Sequence, residues 1–270
     1  MEPVIWVVSD LHVGSTLGLW PEGFPVEDGG IYGLNVFQKY LNVCWWEMLA
    51  KVLALPEPPI VVVAGDLIQG AHDRDGQLVT DRSDIQAEAA YEVLKPLREA
   101  CERMYILHGT SFHGGKSSQH VGSTALRLEG VRQPQTGRPL WWELFLDMDG
   151  AVIHFTHHIG ATNIPMYEAS VPLRANYVLQ ADLLRNYGAE APQICLDVRG
   201  HRHRCIYVYK PPSVRSLTLP CWQLKGEFGF KVAADTLPDI GYAVIERTLT
   251  DLNVNPVLYP LPGVHIEKGI

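Results

Sequence analysis

The chain has 270 residues, 47% hydrophobic and 19% charged, with a formal net charge of −8. That is the make-up of a globular protein long enough for a sizeable core, and its acidity excludes a broad non-specific duplex-binding surface, which would be rich in Lys and Arg. No apolar run approaches the roughly 18 residues of a membrane span, no basic region precedes a signal-like apolar core, and the scattered cysteines (Cys44, Cys101, Cys195, Cys205, Cys221) form no Cys-x-x-Cys pair, which predicts reduced thiols and a cytoplasmic location.

Val4-Ile5-Trp6-Val7-Val8 reads as a buried strand that stops abruptly at Ser9-Asp10-Leu11-His12. In extended backbone Asp10 and His12 share a face, and a carboxylate beside an imidazole starts a divalent-metal site. The Gly- and Pro-rich stretch from Val13 to Gly33 predicts a surface loop of the lid type. Apolar residues at helical spacing predict a helix from about Leu34 to Leu55, closed by Pro56, Pro58 and Pro59.

Ile60 to Ala64 is a second buried strand, followed at once by Gly65-Asp66. A polar loop with His72, Asp73 and Asp75 leads to a helix over about Ser83 to Arg103, with Ser83 as its cap. Met104 to Leu107 is a third strand, ending in His108-Gly109-Thr110-Ser111-Phe112-His113. A short helix from Ser118 to Leu128 follows.

From Trp141 on, the pattern turns to hairpins: Trp141–Leu146 and Ala151–Thr156 flank Asp147-Met148-Asp149-Gly150. The second arm ends in His157-His158. After a helix from Tyr167 to Tyr187, Ile194–Val198 runs into Arg199-Gly200-His201-Arg202-His203, and four β-like runs complete the chain. β-α-β units first and hairpins later predict an α/β fold of two packed sheets with helices outside, in one domain spanning residues 1–270.

Asp10, His12, Asp66, the Thr110–His113 turn, His157, His201 and His203 thus all stand where strands end, the place where sites form in parallel sheets. Asp and His together suit Mn, with Fe, Zn or Ni as alternatives, better than Ca or Mg. The supply exceeds one ion. It implies two, roughly 3.5 to 4 Å apart, with a hydroxide between them that is nucleophilic at neutral pH.

Asp10-x-His12, Gly65-Asp66, the Gly109 turn, His157 and Gly200-His201-Arg202-His203 resemble the ordered motif set of the calcineurin-like metallophosphoesterases. The resemblance implies an α/β/β/α sandwich with a dinuclear centre. It also implies that Asp10, His12 and His203 hold one metal, that Asp66 bridges, and that His157 and His201 hold the second. The third motif departs from the family pattern. Thr110 stands where the family has a ligating Asn, and the next His is His113. His113 then either completes the second metal site or takes the family's acid role, and the acid role is preferred. The turn is similar to a Gly-Thr-x-x-His variant of phage and prophage members.

His157 is preferred to His158 because it follows its strand directly. Lys116, Arg174 and Arg202 read as surface charges, and the pairs Trp45-Trp46 and Trp141-Trp142 as core and edge packing. Gly114-Gly115-Lys116-Ser117 lacks the first Gly of a P-loop, and Gly109 to His113 lacks the closing Gly of a nucleophile elbow. The expectation is a metal-dependent phosphoesterase acting on a phosphate ester, with phosphodiesters, nucleic acid or a nucleotide ahead of monoesters. A phosphatase on the same site, or a binding protein on this frame, is the alternative.

Overall fold

The structure, a computed structural model, describes residues 4–71, 76–114, 118–160, 164–210, 214–233 and 235–263. His72, Asp73, Asp75 and Lys116 lie outside the described residues.

Val4–Val8 (β1) is β-branched or aromatic throughout, and it pairs in parallel with Ile60–Val63 (β2). Val36–Leu53 (α1) makes the crossover between them. It starts where the Asn35 side chain accepts the Phe37 and Gln38 N–H groups while Gln38 closes a capping box. Ser83–Glu99 (α2) leads to Arg103–Leu107 (β3), parallel to β2. This helix ends before the Arg103 predicted for it, because pairing with Ile60 draws Arg103 into the sheet. Ser83 is its first helical residue, and no side chain caps it.

The short helices Ser111–Gly114 (α3) and Ser118–Arg127 (α4) precede Leu140–Trp141 (β4), which adds to β3. Glu143–Met148 (β5) and Ala151–Thr156 (β6) form the expected hairpin, and Asp149 and Gly150 turn it with φ of 49° and 84°. Ser170–Tyr187 (α5) then crosses to Ile194–Arg199 (β7), and Ile206–Lys210 (β8) pairs with Val214–Thr218 (β9). After Glu227–Val232 (α6), Ile240–Arg247 (β10) and Leu252–Tyr259 (β11) close the chain.

The strands make two sheets, ordered β11-β10-β1-β2-β3-β4 and β5-β6-β7-β9-β8. The segment past Lys210 is divided between both sheets. β9 enters the second sheet, whereas β10 returns to pair antiparallel with β1. Alternation along each strand divides the core. Ile5, Val7 and Val62 meet Ile153, Phe155 and Leu196 between the sheets, while Trp6, Val8 and Val63 face the helices, against Leu41, Met48 and Leu94. On the far side of the second sheet, α5 docks through Asn176, whose amide donates to the Arg215 carbonyl at 2.8 Å. The layers run helix, sheet, sheet, helix, the α/β/β/α sandwich that the resemblance implied.

The stretch predicted as a lid is partly core. Val13, Leu19 and Trp20 are fully buried, and Val13 N–H donates to Leu67 O. Burial of Trp20 against Phe24 and Tyr32 outweighs the Gly- and Pro-rich composition around it.

Candidate metal centre

β1 and β2 end side by side, and their continuations stay paired: Asp10 N–H donates to Gly65 O, and His12 N–H to Asp66 O, each at 3.1 Å. The backbone past Val8 is not extended. Among the described residues, seven non-glycine residues have positive φ, and five of them are Asp10, His12, Asp66, His201 and His203. Left-handed backbone at a branched or bulky residue persists only where the surroundings impose it. Asp10 and His12 therefore converge through two left-handed turns around Leu11, and not through strand periodicity. Gly65 makes the approach possible. It has φ of 93°, and a Cβ there would lie 2.5 Å from His157 Nδ1.

The ligating atoms fall into three groups, each within 4.8 Å: Asp10, His12 and His203; Asp66, His157 and His201; and His12, Asp66 and His113. All six side chains expected as ligands are thus brought together, with Asp66 shared between groups. His157, buried, sits with Asp66, whereas His158 is exposed and lies beside Trp142. His113 joins the side of His12, not that of His157 and His201.

The surroundings orient each group. Asp10 Oδ2 accepts from Ser9 Oγ at 2.5 Å and from His201 N–H at 3.0 Å. This leaves Oδ1, buried and without a hydrogen bond, 3.3 Å from His203 Nε2. His157 donates from Nδ1 to Ala64 O at 2.7 Å, so its buried, unbonded Nε2 is turned 3.1 Å from Asp66 Oδ2. His12 Nδ1 lies 3.0 Å from Gln69 Oε1 and carries the proton there, and its Nε2 stands 3.1 Å from His203 Nε2. Two ring nitrogens this close, and a nitrogen lone pair facing a carboxylate, need a positive charge between them. The residues present fit divalent metal ions, which would supply it.

Without metal, protons take that part. Burial works against charge on His157, but Asp10 and Asp66 outweigh it and push it up to about 9. Burial brings His12 down to about 4, with His113 adding to the effect. Burial likewise opposes ionisation of Asp10, yet His157 and His203 hold its carboxyl well below the usual range.

Thr110 does not simply stand in for an Asn ligand. Its N–H donates to Asp66 Oδ1 at 2.7 Å, its hydroxyl lies 3.1 Å from the same oxygen, and that hydroxyl accepts from His113 N–H at 3.3 Å. His113 Nδ1 is 2.7 Å from Gln69 O and donates to it. Gln69 and Ser9 were not foreseen as orienting groups. Arg202 reaches Gly160 O and Glu168, away from the ligands. Beside Asp66 opens a cavity of about 350 Å³, whose walls include Thr110, His113, Arg138 and Trp142.

Two packed sheets with Asp and His side chains gathered at their strand ends are the arrangement that the sequence resemblance implied. No family model matches the chain, and no curated protein matches it. Among solved structures it is similar to a conserved protein of Streptococcus pneumoniae TIGR4, titled a predicted phosphoesterase (TM-score 0.40, 12% identity, 96% of this chain and 94% of that one). It is also similar to Vacuolar Protein Sorting 29 of Cryptosporidium parvum (TM-score 0.42, 12% identity, 96% of this chain and 98% of that one). Likeness at that level carries no argument about function, which rests on the geometry. Among the described residues, no helix is long and apolar enough to cross a membrane.

Proposed function

We propose that the protein is a metal-dependent phosphoesterase, with phosphodiesters ahead of monoesters. The observation that supports this most is the pair of buried, unbonded ligand atoms, Asp10 Oδ1 and His157 Nε2, set in two groups on either side of Asp66. Asp10, His12 and His203 would hold one divalent ion and His157 and His201 the other, with Asp66 between them. Ions bound there would supply an activated water and positive charge for the phosphoryl oxygens. Thr110 and Ser9 fix the two carboxylates, so that little reorganisation accompanies the reaction. His113, anchored through Nδ1, presents Nε2 as the proton donor to the leaving oxygen. The cavity on the His113 side takes one ester substituent, and the exposed His201 side leaves room for a second.

Initial rates on bis-p-nitrophenyl phosphate and p-nitrophenyl phosphate, measured side by side after loading stripped protein with Mn, test the reading. Faster diester hydrolysis is expected. The reverse ratio would make the protein a phosphatase. Background rates on both, with Mn bound, would favour the binding-protein alternative that Thr110 motivates.

A further inference from the structure

The cavity beside Asp66 has a feature that hydrolysis alone does not require. Trp142 lies between β4 and β5, and its indole stacks on the His108 ring at 4.1 Å between centroids, with 13° between planes. The side chain nevertheless remains 58% exposed. His108 covers one indole face while more than half of the side chain is left to solvent, so the residue is not the edge packing expected of it. Its neighbour Trp141 does pack: it meets Tyr105 and donates from Nε1 to Val131 O at 2.8 Å. The two adjacent tryptophans therefore differ in what they contact, and only Trp142 lines the cavity.

Two further features of the cavity bear on its occupant. Leu107, Val121 and Leu140 give it an apolar floor, and Arg138 stands at its wall. Among the described residues, no carboxylate pairs with Arg138. A guanidinium fork without an acidic partner suits the acceptor atoms of a ligand. The volume, about 350 Å³, is at the lower end of small-ligand pockets and exceeds the need of a lone phenyl ring. His158 stands between Trp142 and the candidate ligand His201, 6.3 Å from the one and 6.1 Å from the other between centroids.

We propose that this cavity takes the base of a nucleoside phosphate, laid on the open face of Trp142 with Arg138 at its polar edge and the phosphate at Asp66. The proposal rests on the phosphoesterase reading and names the substrate class of that site. Aromatic stacking of this kind tolerates any base, because every base offers a π face. Broad base preference is therefore expected.

The experiment is calorimetric binding to the Mn-loaded protein. The probes are adenosine 5′-monophosphate, ribose 5-phosphate and phenyl phosphate, each as its non-hydrolysable phosphonate, with quenching of tryptophan fluorescence read in parallel. The adenosine compound is expected to bind best. Trp142→Ala should weaken it by about tenfold or more and remove the quench, while ribose binding and the melting temperature stay unchanged. Trp142→Phe should restore most of the affinity, and Arg138→Ala should reduce it. Equal binding of the adenosine and ribose compounds, phenyl binding as tight as adenosine, or an indifferent Trp142→Ala would each overturn the proposal. Trp142-dependent adenosine binding in a protein that hydrolyses no phosphate ester would support the base site and overturn the phosphoesterase reading. Binding of none of the three would overturn the base site, and with no hydrolysis of either nitrophenyl ester it would overturn the phosphoesterase reading as well.

Discussion

Thr110 grips Asp66 twice, through a backbone N–H at 2.7 Å and a hydroxyl at 3.1 Å, both on Oδ1. Thr110→Val keeps the shape and the N–H bond and removes the hydroxyl bond. Groups that orient metal ligands contribute about 10- to 100-fold in affinity or activity. We expect Thr110→Val to lose activity within that range, with Mn binding weakened and the fold retained. Wild-type activity in this variant would mean that the backbone bond alone positions Asp66.

Removing the ions should matter for stability as well as for rate. At a free Mn concentration about 100 times the dissociation constant, one site adds about 2.7 kcal/mol. Chelation should therefore lower the melting temperature, and reloading should bind two Mn per chain. His201 is exposed, so His201→Ala is expected to reduce binding to one ion and abolish hydrolysis without loss of fold. Asp66→Ala should affect both ions. Metal counting by atomic emission beside a melting curve decides the matter. A wild-type stoichiometry of one, or full activity in either variant, would sink the assignment.

Another buried histidine, His154, gives the protein a pH signature away from the candidate metal ligands. His154 Nδ1 lies 2.7 Å from Asp197 Oδ1 across the β6–β7 register, and Arg199 Nε donates to Asp197 Oδ2 at 2.8 Å. Burial works against charge on His154, but Asp197 and Glu143 outweigh it, so its pKa is raised. An imidazole raised on folding stabilises fully below its unfolded value, near 6.5, and that contribution is lost as pH climbs through the folded value. Urea unfolding of metal-free protein, followed upward from pH 6, should show wild-type stability falling relative to His154→Gln. Parallel curves for the two proteins would refute this.

Two glycines should respond oppositely to alanine. A Cβ on Gly109 would lie 2.1 Å from Asp66 Oδ1 and 2.4 Å from Asp66 N. We expect Gly109→Ala to cost about 1–3 kcal/mol and to displace the carboxylate, with loss of activity. On Gly122 in α4, a Cβ would meet only Leu140 at 3.8 Å, and Gly122→Ala is expected to add up to about 1 kcal/mol. Thermal unfolding of both variants measures the difference.

Much of this was legible in the sequence because each buried strand ends abruptly at a ligand-type residue, and those ends share one rim of the fold. Asp10, His12, Asp66, His157, His201 and His203 could be read that way. The reason given for Asp10 and His12 was wrong in detail: left-handed backbone, not strand alternation, brings them together. Contacts between distant segments leave no local pattern, so Thr110 on Asp66, Gln69 on His12 and the burial of Trp20 could not be read. Periodicity also cannot tell a packed tryptophan from an open one, which is why Trp141 and Trp142 read alike.

The pairing of β10 with β1 has a consequence for how the protein comes into being on the ribosome. β1 carries Asp10, yet its partner in the sheet is Ile240–Arg247, with Val4 opposite Glu246. The tail also ties the candidate ligands themselves: Trp222 N–H donates to Asp10 O, and Asp239 N–H to His203 O. While the first three strands are already outside the tunnel, β1 is still a bare edge. One edge of β1 therefore stays open and aggregation-prone until Ile240–Arg247 emerges to cover it.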